Sequence, residues 1–564
     1  MAVPFLCRPT FGFSASAASA SAAASSSNIQ NSMVKDLPLD SLATTASSFA
    51  SVHGILVERR QTDFKDTDPK VERHQSYYEC APISLLPNAF PRSEFERVQK
   101  VGPVFNILVE KISQNEKFLQ DTLEGVVEAD PFTAKLLELY KEIYTGDTPN
   151  KWAMQADRLG LHRSDYMLND GTPKQVELNT IASSFGALSA RVAALHSHLT
   201  TTTSTNKAVV DFLTQNKRAV LDDESEILSP EDGVPENPAL ENLALALNLA
   251  AQQYQDKCTP ASKPIILFVV QPGETNTVDQ RLLEFQITQA HGWRVIRQSL
   301  TDMAEKSKVD PETGALLLQT DDGEQEVAVV YYRAGYAPKD YFGDKEWDAR
   351  KTMECSRATK SPCLGYHLAG TKKVQQALAR PSILESVLGD SVPADEIQQL
   401  RNVFAGLYSL GEDMVPDDYR AVESILLDEN ESQFVLKPQR EGGGYNFYGN
   451  QMAEKLKPHV TYSSDSETDS KTITAVNHHV LGEFILMERL FPPEQRAILL
   501  RGGQVEGSGM SVSELGCFAT ILCNGDGSVA HNEYAGFLMR TKFSHVDEGG
   551  VAAGYATLSS PYLV

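Results

Sequence analysis

The sequence predicts a mixed α/β protein with more than one packing unit, and three stretches carry that expectation. Residues 265–270 form a short apolar run, 278–291 repeat apolar positions at helical spacing up to Gly292, and 327–332 form a second apolar run. Strand, helix and strand in that order are the signature of an α/β layer. Ahead of this layer, Asp130-Pro131 supplies a cap and a first-turn proline to Phe132, Leu136, Leu139, Tyr140 and Ile143, which recur at helical spacing. Behind it, 484–490, 498–501 and 512–523 have strand composition. With 564 residues, 41% of them hydrophobic, the chain is long enough for roughly three or four domains.

In chain order, 1–33 is rich in Ser and Ala, contains one arginine, Arg8, and has no acid. That composition reads as an organellar transit peptide, with a chloroplast ahead of a mitochondrion because mitochondrial presequences carry several arginines. The cytosol is the other alternative. The span 34–150 is expected to be helical. Within 151–260, Asn169-Asp170-Gly171 separates two strand-like pieces as a hairpin turn. The α/β unit fills 261–369, and 370–564 forms the last part. There a helix is expected over 400–410, another opens at 452–456, and the Ser-rich 461–474 is expected to be loop. Asn524-Gly525 turns 512–523 back onto 528–534. Seven cysteines without a C-x-x-C pair read as free thiols in a reducing compartment. Lysine plus arginine total 51 against 75 acids, a formal charge of −24, which argues against a nucleic-acid surface. Beyond the leader, no stretch approaches the roughly 20 apolar residues of a membrane span.

The chemistry centres on 434–448. Phe434, Val435 and Leu436 can anchor a strand that delivers Lys437 to its end, and Gly442, Gly443 and Gly444 free the backbone to bring N–H groups against an anion. Lys437 would then meet phosphate oxygens and Glu441 would hold magnesium. The stretch lacks the Lys-Ser/Thr ending of a P-loop, so that motif is excluded. Glu177 and Asn179 lie two apart in a strand-like run and share a face, offering the oxygen ligands that magnesium prefers. Glu514 falls on the same strand face as Val512 and Phe518, where a lone acid needs a partner.

The stretch FVLKPQREGGGYNFY resembles the glycine-rich loop of eukaryotic glutathione synthetases, members of the ATP-grasp superfamily. The likeness continues in order through DRLGLHRSDYM, VELNTIASSFG, VDQR, YYRAGY, AGTKKVQQ, FAGLYSL, FILMERL, SELG, LMRTK and DEGGVAAG. It implies an ATP-grasp fold with an inserted α/β substrate-binding domain, a glycine-rich lid at about 440–460 and an alanine-rich loop at about 547–554. The implied activity is ATP-dependent ligation of γ-glutamylcysteine to glycine through an acyl-phosphate, with Mg2+ as cofactor and a homodimer as the assembly.

By the same resemblance, Glu177, Asn179 and Glu441 hold the metal. Lys372, Lys437, Asn446, Tyr448, Met487, Glu488, Leu490 and Lys542 contact nucleotide, with Glu177, Glu441, Gly442, Gly443, Gly444, Glu514 and Glu548 in that set. Arg163, Ser184, Glu274, Asn276, Gln280, Arg333, Tyr336, Arg540, Val551 and Ala552 bind the peptide substrate or the amine, and Arg163 and Arg540 carry the catalytic assignment. Two departures stand out: Ala182 where some members have serine, and Tyr445 where asparagine is common. A ligase using β-alanine and a silent nucleotide-binding protein are the competing readings.

Overall fold

The protein is described here by a computed structural model that covers residues 34–61, 75–221, 233–439, 446–464, 471–547, 549–551 and 554–564 of the 564. A mixed sheet of thirteen strands forms its backbone. At its centre Gln504–Cys523 lies between Val529–Phe543 and Arg158–Asn169, antiparallel to both, and Arg158–Asn169 folds back on Thr172–Asn179. The turn between the last two fits its residues. Asp170 and Gly171 have φ of 49° and 74°, the left-handed pair that a two-residue hairpin needs.

The α/β layer extends the same sheet. Ile265–Val269, Gly323–Tyr332 and Thr359–Ser361 run parallel to one another, and Thr359–Ser361 meets the body where Lys360 pairs with Arg158. The helix Thr277–His291 makes the crossover from Ile265–Val269 to Val295–Gln298. Helices cover both faces of the sheet. Gly186–Thr202 and Ala239–Cys258 pack on one face with Phe518 and Leu522, whereas Arg92–Ser113 and Pro131–Tyr144 pack on the other with Leu515, Cys517 and Ile521. The central strand therefore feeds two cores from one stretch, as alternation requires.

A separate antiparallel sheet of four strands, in the order Leu407–Ser409, Phe484–Glu488, Phe434–Pro438 and Phe447–Tyr448, has its own core around Leu436, Leu486, Val422, Ile425 and Met452. This fold is the mixed α/β architecture that the sequence predicts.

Three local expectations are corrected. The 34–150 span is not purely helical, because Leu56–Gln61 pairs with Gln75–Cys80, and Ile83–Ser84 and Asn88–Phe90 also enter sheets. The helix expected over 400–410 is Ala394–Val403; Leu407–Ser409 is instead drawn into pairing with Phe484–Glu488, a tertiary contact that overrides local periodicity. The loop expected at 461–474 has paired flanks, Val460–Ser464 against Lys471–Val476, with Ile473 and Val476 buried in the small core; its tip, 465–470, lies outside the described residues. The six described cysteines are free thiols, as expected. Among the described residues no helix is long and apolar enough to cross a membrane.

Candidate active site

A cavity of about 470 Å³ opens between the large sheet and the small one. Its apolar wall is made by register in the small sheet: Val435 stands beside Met487 on one neighbouring strand and Tyr448 on the other, with Leu490 and Ala405 packed against them. Such an apolar face suits an aromatic heterocycle. At its edge Glu488 accepts from the Gly406 N–H at 3.1 Å and the Tyr408 hydroxyl at 2.9 Å.

The opposite wall is charged. Glu177 and Lys372 approach to 3.8 Å, Lys437 donates to the Val176 carbonyl at 3.3 Å, and Lys542 donates to the Asp547 carbonyl at 2.5 Å. Burial alone would raise the Glu177 carboxyl, but Lys372, then Arg540, Arg163 and Lys437, outweigh it and hold the group down at about 2. Glu177 is therefore ionised at neutral pH. Asn179 donates to Glu177 at 3.3 Å and to Asp165 at 3.1 Å, so its amide nitrogen faces the two carboxylates.

Beneath this wall lies a buried relay of ions. Asp165, with 0% exposure, accepts from Arg163 at 2.7 and 2.8 Å and from Arg540 at 2.9 Å, and Arg540 also pairs with Glu514 directly across the strands. Gly516 makes room for it, since a Cβ there would sit 2.5 Å from Asp165 Oδ1. Arg163 continues the relay by donating to the Ser184 carbonyl at 3.1 Å, and Arg333 reaches the Ser184 hydroxyl at 2.7 Å. Gln280 donates to Glu274 at 3.2 Å, while Gln271 donates to the Tyr336 hydroxyl at 3.0 Å.

Residues 37–563 match the family model of the eukaryotic glutathione synthase ATP-binding domain. The chain is 39% identical to a chloroplastic glutathione synthetase of Solanum lycopersicum, over 93% of this chain and 84% of that one. It is 36% identical to the glutathione synthetase of Homo sapiens, over 93% and 97%. The chain belongs to the eukaryotic glutathione synthetase family. Its fold is also that of a glutathione synthetase-like effector from Globodera pallida, with a TM-score of 0.64 at 19% identity over 93% of this chain and 96% of that one. Members of this family are ATP-binding ligases of glutathione biosynthesis, and this chain is one of them.

For a glutathione synthetase-type ligase the cavity collects one part of the expected set. Glu177, Lys372, Lys437, Asn446, Tyr448, Met487, Glu488, Leu490, Glu514, Arg540 and Lys542 all line it. Arg163, Ser184, Glu274, Asn276, Gln280, Arg333 and Tyr336 do not: Arg163 and Arg333 meet at Ser184, Gln280 and the Asn276 N–H meet at Glu274, Tyr336 accepts from Gln271, and on an adjoining wall Gln280 and Arg333, with Ser183 and Asp279, leave only a crevice of about 10 Å³. Val551 is buried in the main core rather than facing the cavity. Ala182 has φ of 52°, and its carbonyl accepts from the Ser184 hydroxyl at 3.2 Å. Glu441, Gly442, Gly443, Gly444, Tyr445, Glu548, Ala552 and Ala553, like 1–33, lie outside the described residues.

Sequence reasoning missed two acids. Asp165 lies two residues after Arg163 in a strand, and that spacing alone would have paired them. Asp279 caps the helix Gly186–Thr202 by accepting from the N–H groups of Phe185, Ala187 and Leu188 at 2.7, 3.0 and 3.1 Å. It also missed Arg489, which pairs with Asp547 at 3.0 Å and stacks over Tyr448.

Proposed function

We propose that this protein joins γ-glutamylcysteine to glycine with hydrolysis of ATP to ADP and phosphate. One observation carries the reading: three lysines and an ionised carboxylate face an apolar heterocycle wall in a single cavity, and a buried ion relay ties that cavity to an arginine-bearing substrate wall. A peptide substrate with two carboxylates needs such arginines, which bind carboxylates through paired N–H groups.

The γ-phosphoryl group would pass to the cysteinyl carboxylate, giving an acyl-phosphate and ADP; the amine of glycine then attacks its carbonyl carbon, and collapse of the tetrahedral adduct forms the peptide bond and releases phosphate. Lys372 and Lys437 stabilise the charge that spreads over the transferring oxygens, and Lys542 draws the loop at Asp547 against the cavity. Arg540, steadied by Asp165 and Glu514, holds the adduct oxyanion or the glycine carboxylate. Val435, Met487 and Leu490 seat the adenine. No enzyme nucleophile takes part.

The donor chemistry fits magnesium. Glu177 is anionic at neutral pH and supplies a hard oxygen; the Asn179 amide, whose nitrogen faces Glu177 at 3.3 Å, would turn its oxygen to a bound ion, with Glu441 the third proposed ligand. When bound, the ion neutralises charge on the ATP phosphates. The leader composition and the chloroplastic relative support a plastid location, and the family reading carries a homodimer with it. The test is ADP release measured with γ-glutamylcysteine and glycine each omitted in turn. The reading requires both; ADP release that ignores the dipeptide would mark an ATPase instead of a ligase, and no ADP release at all would leave only a nucleotide-binding protein.

A further inference from the structure

The wall that carries Gln280 and Glu274 contains a residue to which the resemblance gives no role. Arg297 lies on Val295–Gln298, the strand parallel to Ile265–Val269, and its side chain is only 14% exposed. Its Nη2 donates to Gln280 Oε1 at 2.6 Å. This bond fixes the amide, because with its oxygen committed to Arg297, Gln280 can only present N–H groups elsewhere, one of them to Glu274 Oε2 at 3.2 Å. The other oxygen of Glu274 accepts from the Asn276 N–H at 2.8 Å. One guanidinium thus orders the donors and acceptors from Gln280 through Glu274 to the Asn276 N–H.

The wall is also electrically unfinished. Among the described residues, Arg297 Nη1 and Arg333 Nε are buried without a hydrogen-bond acceptor, and Asn276 Oδ1 is buried without a hydrogen-bond donor. Leaving such groups unmet costs stability, so their natural complement is a ligand. The carboxylates nearby are already engaged. Asp279 caps a helix, and Glu284 takes two bonds from Arg281 at 2.9 Å while standing 3.6 Å from Arg297 Nη1. Two guanidinium nitrogens without a hydrogen-bond acceptor among the described residues, one of them paired only with the shared Glu284, suit an added anion, and a buried carbonyl short of a donor suits an ammonium. An α-amino acid head group offers both.

We propose that Arg297 is a positioning and selectivity residue of the peptide site: it locks the amide of Gln280 and turns its remaining N–H toward the α-carboxylate of the γ-glutamyl end. This rests on the ligase reading, and the experiment separates the two. Calorimetric binding of γ-glutamylcysteine to the full chain tests the inference, whereas turnover tests the ligase reading. Arg297→Met and Arg297→Lys should each weaken dipeptide binding by about 10-fold or more, the worth of one or two charged hydrogen bonds, with the KM for ATP and the unfolding midpoint unchanged. The loss should vanish for 4-aminobutanoyl-cysteine, which lacks the α-carboxylate, and persist for glutaryl-cysteine, which lacks the α-amine. Gln280→Ala added to Arg297→Met should cost less than the sum of the single changes, because one acts through the other. Equal losses on both analogues, additive losses in the double variant, or a KM for ATP that rises in step would each overturn the assignment.

Discussion

Asp165→Asn is the sharpest structural test of the ion relay. The carboxylate has 0% exposure and accepts four N–H bonds, two from Arg163 at 2.7 and 2.8 Å, one from Arg540 at 2.9 Å and one from Asn179 at 3.1 Å. An amide in its place must turn an NH₂ toward donors, so at least one bond becomes a donor-to-donor clash. Arg163, with a side chain 6% exposed, loses its only ion-pair partner among the described residues, whereas Arg540 keeps Glu514. Breaking a buried pair from one side costs about 3 to 5 kcal/mol. Burial already raises the Asp165 carboxyl in spite of Arg163 and Arg540, which means desolvation consumes part of the pairing energy. The loss should therefore sit at the low end, about 3 kcal/mol. Urea unfolding reads it as a lowered midpoint at unchanged slope, and turnover should fall by about 100-fold or more because Arg163 loses its anchor and Arg540 one of its two. A loss under about 1 kcal/mol with turnover near wild type would show that Asp165 does not hold the arginines in place.

Glu177→Gln should reduce turnover by at least about 100-fold with the protein still folded, as expected for a charge facing the cavity; an unfolded variant would make the residue structural. Its pH dependence has a definite sign. The folded carboxyl sits at about 2, below its ordinary 4.5, so its stabilising contribution is present above 4.5 and is lost as pH falls toward 2. The stability gap between wild type and Glu177→Gln should thus be flat from pH 5 to 8 and shrink below about pH 4; a gap that opens on acidification contradicts the assignment. Lys437→Met should raise the KM for ATP by about 10-fold or more and leave dipeptide binding unchanged, read by steady-state kinetics and calorimetry. With glycine and β-alanine at equal concentration, the glycine product should dominate by a modest factor, since one extra methylene in a small pocket costs about 1 to 3 kcal/mol. Mass analysis of the products decides it, and a β-alanine majority would replace glycine as the amine.

Much of the site was legible because its signals are local. Glu177 and Asn179 share a strand face by spacing alone, the Asp170-Gly171 turn announces its left-handed backbone, and the apolar residues 434–436 ahead of Lys437 announce the strand Phe434–Pro438. Glu514 was readable as an acid in want of a cation, but not which one, because Arg540 stands opposite it only once two long strands pair in register. Asp165 lies 375 positions from Arg540, and no periodicity spans that gap. Leu407–Ser409 went unseen for the same reason: three residues carry too little pattern, and only the pairing with Phe484–Glu488 makes them a strand. The role of Arg297 is likewise invisible before Ile265–Val269 and Val295–Gln298 align and bring it over Gln280.

The most direct test of the proposed chemistry follows a single oxygen atom. If the cysteinyl carboxylate takes the γ-phosphoryl group before glycine attacks, one of its two oxygens leaves with phosphate when the peptide bond forms. γ-Glutamylcysteine labelled with ¹⁸O in that carboxylate, turned over with ATP, magnesium and glycine, should release inorganic phosphate carrying one ¹⁸O for each tripeptide made, with one ADP alongside. Phosphate free of label, with tripeptide accumulating at the same rate, would contradict the acyl-phosphate route.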